Sequence, residues 1–447
     1  MTEKQKWFEE ARYGLFIHWG LYSALGGQWK DTKLTRNTEW IMRQAEIPFE
    51  EYRKLADSFD PVCFDADAWV RKAVDFGCRY LCITAKHHDG FAMFDSAVSD
   101  YSIMHTPFRR DIVRELSDAC RRHGIKFCVY YSQMQDWADP DGDGNYWDYD
   151  PAKKDFEAYF NNKVKPQVRE LLTNYGEIGM IWFDTPYHMP RELCRELERF
   201  VHSIQPDCLI NGRIGYGFGD YRQMSDNEIP SAVYHGLWET PMTLNNTWGY
   251  SKTDECWKSP EKVIRMLVDV VSKGGNLLIN IGPDAAGRIP QGSVDVLDRV
   301  GAWLHKNGES IYGTVPCADS PYQLRWGGLT GRGTTAYLHL LDAAETPDRI
   351  KICNIETRAQ RAWLLSTGEE LPAAQTYELA RDEHRLIIQY PKDRLDELDT
   401  VIAVEFEEAP VFRSLYMNFE DHGKAAATAR PAENKKSSGN AAEGYAE

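Results

Sequence analysis

The stretch TAKHHDGF contains His87, His88 and Asp89. These three residues come shortly after the short apolar run LCIT and directly before Gly90. Imidazole nitrogens and carboxylate oxygens can bind a metal ion, relay a proton, or form hydrogen bonds with a polar substrate. The spacing of these three residues is compatible with each of those chemistries, so the choice depends on the rest of the chain.

Carboxylates follow other apolar runs. Asp184 directly follows IGMIWF, which predicts a rigidly placed and partly desolvated side chain. Asp226, Glu228 and Glu239 come later in the chain. Glycoside hydrolysis uses a pair of carboxylates, one as nucleophile or base and the other as general acid. We therefore predict Asp184 to be catalytic, with the second carboxylate among the later three.

The elements that must position these residues alternate between apolar runs and helical patterns over the first 310 or so residues. Runs such as LCIT, IGMIWF and NLLINI are continuously apolar, which is typical of parallel strands that are buried on both faces. The predicted strands are Tyr13–Trp19, Arg79–Ala85, Ile125–Ser132, Glu177–Asp184, Asp207–Arg213, Asp220–Ser225, Val233–Glu239 and Asn276–Gly282.

Helical patterns separate most of these strands. The spacing predicts a helix capped by Asp111 and ended by Gly124, and another capped by Ser259 with Pro260 in its first position. Further helices are predicted over Ala66–Phe76, Pro151–Tyr175, Pro190–Ile204 and Ser293–Lys306. Eight strands with intervening helices predict an irregular (β/α)8 TIM-like barrel, whose fifth and sixth connections are too short for helices and are expected to be loops.

In such a barrel, the side chains that follow the strands gather around one pocket. They are His18-Trp19, Lys86-His87-His88-Asp89, Tyr130-Tyr131, Asp136-Trp137, Trp182-Phe183-Asp184, Asn211-Gly212-Arg213, and then Asp226, Glu228 and Glu239. Histidine, tryptophan, tyrosine and arginine around separate carboxylates fit glycoside hydrolysis.

The pattern changes near Val315. Short, partly alternating runs such as TTAYLHLL and TVIAVEFE predict a C-terminal antiparallel β-sandwich. The predicted division is a catalytic barrel over 1–314, the sandwich over 315–419, and a disordered tail over 420–447, which has almost no large apolar residues.

The composition of the chain argues against some classes of binding partner. The chain has 52 basic and 68 acidic residues and no basic block, which argues against nucleic acid. Neither a membrane span nor a signal peptide is visible, so the chain as written is expected in the cytoplasm, although a trimmed leader would leave the same sequence. The 10 scattered cysteines indicate buried thiols. The oligomeric state, including a homo-oligomer, is left open.

Seven stretches over residues 7–315 resemble the α-L-fucosidases of glycoside hydrolase family 29. They are WFEEARYGLFIHWGLYS, NTEWIMRQAEIPFEEYRKLADSFDP, ITAKHHDGFAMFDS, KFCVYYSQMQDW, IWFDTP, WGY and GGNLLINIGPDAAGRI. The resemblance implies a retaining exo-α-L-fucosidase that acts on a fucosylated oligosaccharide or glycoconjugate through a covalent fucosyl-enzyme. It implies neither a metal nor any other cofactor.

The resemblance also implies roles for single residues. Asp184 matches the nucleophile. The positions that match fucose contacts are His18, Glu39, Trp40, His87, His88, Tyr131 and Arg213, with Trp182 in the apolar wall. Tyr130 is the alternative to Tyr131, because only one of two consecutive strand side chains faces the barrel. For the general acid/base the order of preference is Glu228, Glu239 and Asp226.

Two rival functions remain to be compared. A metal-dependent hydrolase on the same barrel could use His87, His88 and Asp89 as ligands, but the first strand offers a single histidine, His18, and the fifth and eighth strands offer none. A non-catalytic fucose-binding protein would be expected to lack Asp184 or the paired acids, which are present here.

Overall fold

Eight parallel strands form the centre of the first part of the chain in the computed structural model, which describes residues 3–317, 327–342, 349–353, 355–380 and 383–411. The strands are β1 (Tyr13–Ile17), β2 (Tyr80–Lys86), β3 (Lys126–Tyr131), β4 (Met180–Phe183), β5 (Leu209–Ile210), β6 (Arg222–Gln223), β7 (Trp238–Thr243) and β8 (Asn276–Ile281). Nearly all residues of β1–β4, β7 and β8 are buried, as expected for strands covered on both faces.

The strands form one curled sheet in the order β5-β4-β3-β2-β1-β8-β7-β6, with every neighbouring pair parallel. A parallel bridge between Asn211 and Tyr221 links the ends of β5 and β6. The Asp220 amide also donates to the Ile210 carbonyl at 2.7 Å. The predicted irregular TIM-like barrel is confirmed. Its β5–β6 connection holds only the 3-10 turn Gly212–Ile214, and its β6–β7 connection holds no helix.

The α-helices surround this sheet or lie in its loops. They are α1 (Glu3–Ala11), α2 (Tyr22–Leu25), α3 (Ile41–Gln44), α4 (Phe49–Tyr52), α5 (Ala66–Asp75), α6 (Ile112–His123), α7 (Phe156–Tyr159), α8 (Lys165–Asn174), α9 (Arg191–Ile204), α10 (Pro260–Ser272) and α11 (Gln291–Asn307). Asp111 caps α6 by accepting from the Arg114 amide, and Gly124 ends it at φ +70°. Ser259 caps α10 through the Lys262 amide. These caps confirm the predicted helix ends.

The predicted continuous helix Pro151–Tyr175 is wrong in its first half. A 3-10 turn covers Pro151–Lys153, and Asp155 then starts α7 by accepting from the Ala158 amide. A π-helical turn, Phe160–Val164, joins α7 to α8. Pro166 has no N–H to donate to the preceding turn, which favours this wider turn over a regular helix.

The seventh strand is also displaced from its prediction. It runs over Trp238–Thr243 and not over Val233–Glu239. Val233 and Tyr234 suggested a strand by residue type, but they lie in the preceding loop, where the Tyr234 amide donates to the Lys273 carbonyl at 3.4 Å. The true strand contains buried polar residues and a proline, which hide it from a search for apolar runs.

Two antiparallel sheets follow the barrel. One has six strands in the order Val315–Pro316, Gly327–Arg332, Thr335–Leu340, Thr400–Phe406, Ala359–Leu364 and Glu370–Leu371. The other has three, in the order Ile350–Cys353, Glu383–Ile388 and Ala373–Glu378. Leu338 and Ile402 of the first sheet share a buried core with Ile352 and Leu386 of the second, which confirms the predicted antiparallel β-sandwich. The predicted tail 420–447 lies outside the described residues.

No helix among the described residues is long and apolar enough to span a membrane.

Candidate active site

A cavity of about 140 Å³ opens at the carboxyl ends of the barrel strands. His18 follows β1, His87 follows β2, Asp184 follows β4 and Arg213 follows β5, and all four line this cavity. Glu39, from the 3-10 turn Thr38–Trp40, also lines it. The barrel therefore brings together side chains from loops that are far apart in sequence.

Asp184 is held from several sides. Its Oδ1 accepts from Arg213 Nη1 at 3.0 Å and from the Thr185 amide at 2.9 Å, and its Oδ2 accepts from the Tyr130 hydroxyl at 3.0 Å. His88 Nε2 lies 3.6 Å from Oδ2. Burial alone would raise the pKa of Asp184, but the charge of Arg213 and the neighbouring His88 outweigh burial and lower it. The carboxylate is therefore ionised at neutral pH and fixed in direction.

The backbone around Asp184 is equally constrained. Its amide donates to Gln133 Oε1 at 2.9 Å, and the preceding Phe183 exchanges hydrogen bonds with the Asn211 side chain at 2.8 and 2.9 Å. Thr185 has φ +47°, a left-handed conformation that costs a threonine free energy. The turn that aims Asp184 is thus imposed by its surroundings.

Three histidines in the site are neutral at pH 7. Burial lowers the pKa of His18 to about 3 and that of His88 to about 4, and it lowers the pKa of His87 well below its usual value. Ser132 donates its hydroxyl to the Gln135 carbonyl at 2.7 Å, so His88 Nδ1 must be the donor in its 2.7 Å contact with Ser132 Oγ. His88 Nε2 is left as a hydrogen-bond acceptor.

Three buried polar atoms of the site have no hydrogen-bond partner among the described residues. They are Glu39 Oε1, His87 Nδ1 and His88 Nε2. Glu39 and His87 line the cavity, whereas His88 does not line it and lies against Asp184. Unpaired buried polar atoms are rare, and a cluster of them around one cavity indicates groups that a polar ligand completes. Glu39 Oε2 accepts from the Gly249 amide at 3.0 Å, and burial raises the pKa of Glu39 to about 7.

Aromatic rings form the walls. Trp182 stacks on Tyr130 with ring centres 5.4 Å apart, and Phe16 lies 5.2 Å from Trp182. The Arg213 guanidinium lies 4.8 Å from the centre of the Trp182 ring. Trp248 packs 5.1 Å from the His18 ring. The cavity thus combines apolar faces with hydrogen-bonding edges, which suits a sugar ring.

The three other candidate carboxylates lie at different distances from the cavity, and only one of them lines it. Asp226 lines the cavity and contacts Arg213 Nη2, so Arg213 bridges Asp184 and Asp226. Burial and the charge of Asp184 raise the pKa of Asp226 against the effect of Arg213, although 46% of its side chain is exposed and water moderates the shift. Glu228, our first choice from sequence, is exposed and does not line this cavity.

Glu239 occupies the interior of the barrel beneath the cavity. Its Oε2 accepts from the Tyr80 hydroxyl at 2.6 Å, and its Oε1 accepts from Trp182 Nε1 at 3.0 Å and from the Tyr221 hydroxyl at 3.3 Å. The residue is fully buried, and burial raises its pKa to about 7. It supports the Trp182 wall and does not line the cavity.

The choice of Tyr131 as a substrate contact is corrected by the structure. Its hydroxyl donates to Gln167 Oε1 at 2.9 Å, among the helices outside the barrel. Tyr130 points to the barrel interior and reaches Asp184, because successive strand side chains alternate between faces. Trp40 and Trp182 both line the cavity.

Asp136, also placed near the pocket from sequence, belongs instead to a buried ionic cluster. Its Oδ2 lies 2.8 Å from Lys86 Nζ and 2.9 Å from Lys163 Nζ. Gly90 has φ +78°, and a Cβ there would lie 2.2 Å from Asp136 Oδ1, so this turn needs glycine. The cluster fixes the loop that carries His87 and His88.

Sequence reasoning missed several residues of the cavity. Phe16 and Trp248 line it with aromatic rings, the buried Thr185 also lines it, and the exposed residues Asn37 and Tyr187 lie at its outer side. Phe16, Asn37, Thr185 and Trp248 all stand in stretches that resemble the family, which was a signal, whereas Tyr187 follows IWFDTP in a loop outside those stretches. Among the described residues, no group of three or more His, Cys, Asp or Glu side chains is arranged to hold a metal ion.

Comparisons with known proteins agree with one another. The family described as Alpha-L-fucosidase matches residues 1–309. Plasma alpha-L-fucosidase of Homo sapiens is 30% identical over 333 residues, covering 69% of this chain and 69% of that protein. The structure of alpha-L-fucosidase isoenzyme 1 from Paenibacillus thiaminolyticus is 36% identical and covers 91% of this chain and 99% of that one, with a TM-score of 0.81.

Two variant structures of the alpha-L-fucosidase AlfC, an enzyme from Lactobacillus casei, are also similar. Each is 39% identical, covers 69% of this chain and 100% of that one, and has a TM-score of 0.66. One has an aspartate replaced by alanine and holds the substrate 4-nitrophenyl-α-L-fucopyranoside. The other has an asparagine replaced by alanine and is described as a fucosyltransferase mutant. The family match covers well over half of the chain, and the chain therefore belongs to the alpha-L-fucosidase family.

Proposed function

We propose that this protein is a retaining exo-α-L-fucosidase that hydrolyses terminal α-L-fucose from fucosylated glycans. The observation that carries the proposal is the ionised Asp184 carboxylate in an aromatic-walled cavity, fixed by Arg213 and Tyr130 and close to the unpartnered polar atoms of Glu39, His87 and His88. A fucose ring supplies hydroxyl groups for those atoms and an apolar face for the aromatic rings.

In the first proposed step, an Asp184 carboxylate oxygen attacks C1 of fucose. The bond between C1 and the glycosidic oxygen breaks, and a protonated carboxylic acid gives its proton to the departing oxygen. The product is a fucosyl ester of Asp184. Arg213 and Tyr130 hold the attacking carboxylate in place, which lowers the entropic cost of reaching the transition state.

In the second step, water attacks C1 of the ester. The same carboxylate that acted as an acid now accepts a proton from water, and the bond between C1 and Asp184 breaks. Two inversions at C1 give fucose with its original α configuration. Neutral His18, His87 and His88 hold the sugar hydroxyls through both steps.

We assign the acid/base role to Asp226. It lines the cavity, and its pKa is raised by burial and by the charge of Asp184, a charge that disappears when Asp184 is esterified. Asn227 anchors this loop at φ +59°, with its Oδ1 accepting from the amide and the hydroxyl of Thr243 at 2.9 and 3.0 Å. Glu228, next along the chain, is the alternative that the sequence favoured.

The Lactobacillus casei variants support the placement of Asp184. The aspartate and the asparagine replaced in those two structures are as far apart in that chain as Asp184 and Asn227 are in this one. An aspartate whose loss permits a complex with intact substrate fits a nucleophile. By the same spacing, Asn227 matches the asparagine that is replaced in the fucosyltransferase mutant. We therefore expect substitutions of Asn227 to alter the balance between hydrolysis and fucosyl transfer.

The test uses an aryl α-L-fucoside. Asp184→Ala should abolish most turnover, and added azide should restore part of it by replacing the nucleophile. Asp207→Ala, at an exposed aspartate outside the cavity, is the matched control and should leave turnover unchanged. If Asp184→Ala keeps normal rates, the nucleophile assignment is wrong. If the unaltered protein binds fucose without turnover, a non-catalytic binding protein replaces this proposal.

A paired test separates the acid/base candidates. Asp226→Asn should remove the high-pH limb of the pH–rate profile, while Glu228→Gln should leave it in place. The opposite pattern would move the role to Glu228, as first predicted from sequence.

A further inference from the structure

Tyr187 is an unusual feature of the cavity opening. It lines the cavity, and 75% of the residue is exposed. It forms no hydrogen bond and no ring contact with other described residues. A single exposed tyrosine is ordinary on a protein surface, but this ring stands at the edge of the cavity, where a ligand that projects out of the cavity can pack on its face.

The loop that carries Tyr187 is well fixed. Gln135 Nε2 donates to Thr185 Oγ1 at 2.9 Å on one side of Pro186, and the His188 amide donates to Met134 Sδ at 3.1 Å on the other. Pro186 has a restricted φ and accepts from the Met189 amide at 3.1 Å. Tyr187 is therefore held out at the opening by a rigid turn, so little conformational entropy would be lost when a ligand packs on its ring.

The direction of the cavity indicates which part of a substrate reaches Tyr187. The inner residues His18, Glu39 and His87 are nearly fully buried, so the chain closes the cavity behind the fucose ring. Asp226 and Tyr187 lie at the exposed side. The group attached to the glycosidic oxygen can leave only in that direction.

We propose that Tyr187 forms the subsite for the sugar unit to which fucose is attached, by stacking its ring on the apolar C–H face of a neutral pyranose. This inference rests on the proposed function and extends it from the fucosyl group to the aglycone. An uncharged hexose or N-acetylhexosamine has one apolar face of about the size of a phenol ring.

The charge near the opening favours a neutral sugar over an acidic one. Asp143 is close to Tyr187, since its carboxylate contacts Nδ1 of the neighbouring His188 at 3.2 Å and the Tyr146 hydroxyl. A sialylated or sulfated unit would place like charges together. The exposed polar edges of His188 and Tyr146 offer hydrogen bonds to sugar hydroxyls.

The experiment compares two substrates with the full-length protein. One is α-L-fucosyl fluoride, whose leaving group is a single atom. The other is whichever of the α-1,2-, α-1,3-, α-1,4- and α-1,6-linked fucosyl disaccharides the unaltered protein cleaves best. Tyr187→Ala should lower kcat/KM for the disaccharide about 10-fold, equivalent to about 1.4 kcal/mol, and leave fluoride hydrolysis unchanged.

Two further variants complete the design. Tyr187→Trp keeps an aromatic face and should restore disaccharide cleavage. Tyr377→Ala removes another exposed tyrosine, which lies in the C-terminal sheets, and should affect neither substrate. Equal losses of Tyr187→Ala on both substrates, or no loss on the disaccharide, would overturn the subsite. An unaltered protein that cleaves neither substrate would instead overturn the proposed function, and the subsite with it.

Discussion

Replacing Glu239 by glutamine should make the protein more stable at neutral pH without removing its activity. Glu239 is a fully buried carboxylate that accepts hydrogen bonds from the uncharged Trp182, Tyr80 and Tyr221. Glutamine has the same shape. Its Oε1 can accept from Trp182 and Tyr221, and its Nε2 can donate to Tyr80, whose hydroxyl then turns away. The variant keeps the support of Trp182 and removes a buried charge.

The size of the effect depends on the pKa of Glu239. Burial raises it from 4.5 to about 7. Between those values the unfolded chain loses a proton that the folded protein keeps, so the free energy of unfolding falls as pH rises. A shift of this size corresponds to about 3 kcal/mol, present below pH 4.5 and lost once the pH exceeds 7. Glu239→Gln carries no such dependence.

The assay is thermal unfolding of both proteins from pH 4 to pH 8. The difference in Tm, variant minus unaltered protein, should grow by about 4 °C over this range. Parallel Tm curves would refute the reasoning, because they would mean that Glu239 does not titrate between pH 4 and pH 8. Turnover of an aryl α-L-fucoside should be retained, and its loss in a folded variant would point to Glu239 as the acid/base.

Three other predictions concern charge and metal content. Arg213→Gln removes the cation that lowers the pKa of Asp184, so the acid limb of kcat/KM should move to higher pH, and an unmoved limb would contradict this. Lys86→Met leaves Asp136 with one cation fewer and should cost about 3 kcal/mol in urea unfolding. The control is Lys30→Met, which removes the exposed ion pair between Lys30 and Glu51 and should lower the free energy of unfolding by less than about 1 kcal/mol. Dialysis against EDTA should leave turnover intact, whereas activity restored only by added metal would support the metal-dependent rival.

The residues that end barrel strands were predictable because two simple regularities coincide. Continuous apolar runs mark buried parallel strands, and the barrel brings the residues after each strand together at one end. This placed His18, His87, Asp184 and Arg213 at one cavity. The caps of α6 and α10 were equally clear, since side-chain capping depends on residues that are local in sequence.

The features that the sequence did not reveal depend on orientation or on distant contacts. In KFCVYY both tyrosines are compatible with either face of the strand, so alternation alone could not separate Tyr130 from Tyr131. The position of Asp226 depends on the left-handed conformation of Asn227 and on the hydrogen bonds between Asn227 and Thr243. No local sequence pattern predicts these two features. Pairings such as Lys86 with Asp136 likewise exist only once the chain has folded.

The central claim is that Asp184 forms a covalent bond with fucose. The direct measurement is mass spectrometry of peptides after incubation with 2-deoxy-2-fluoro-α-L-fucosyl fluoride, a substrate that reacts at C1 but slows the release of the ester. We predict a fluorofucosyl group on the peptide IWFDTP, at Asp184. A label on Asp226 or Glu228, or steady turnover of the reagent with no labelled peptide, would contradict the proposed double-displacement mechanism.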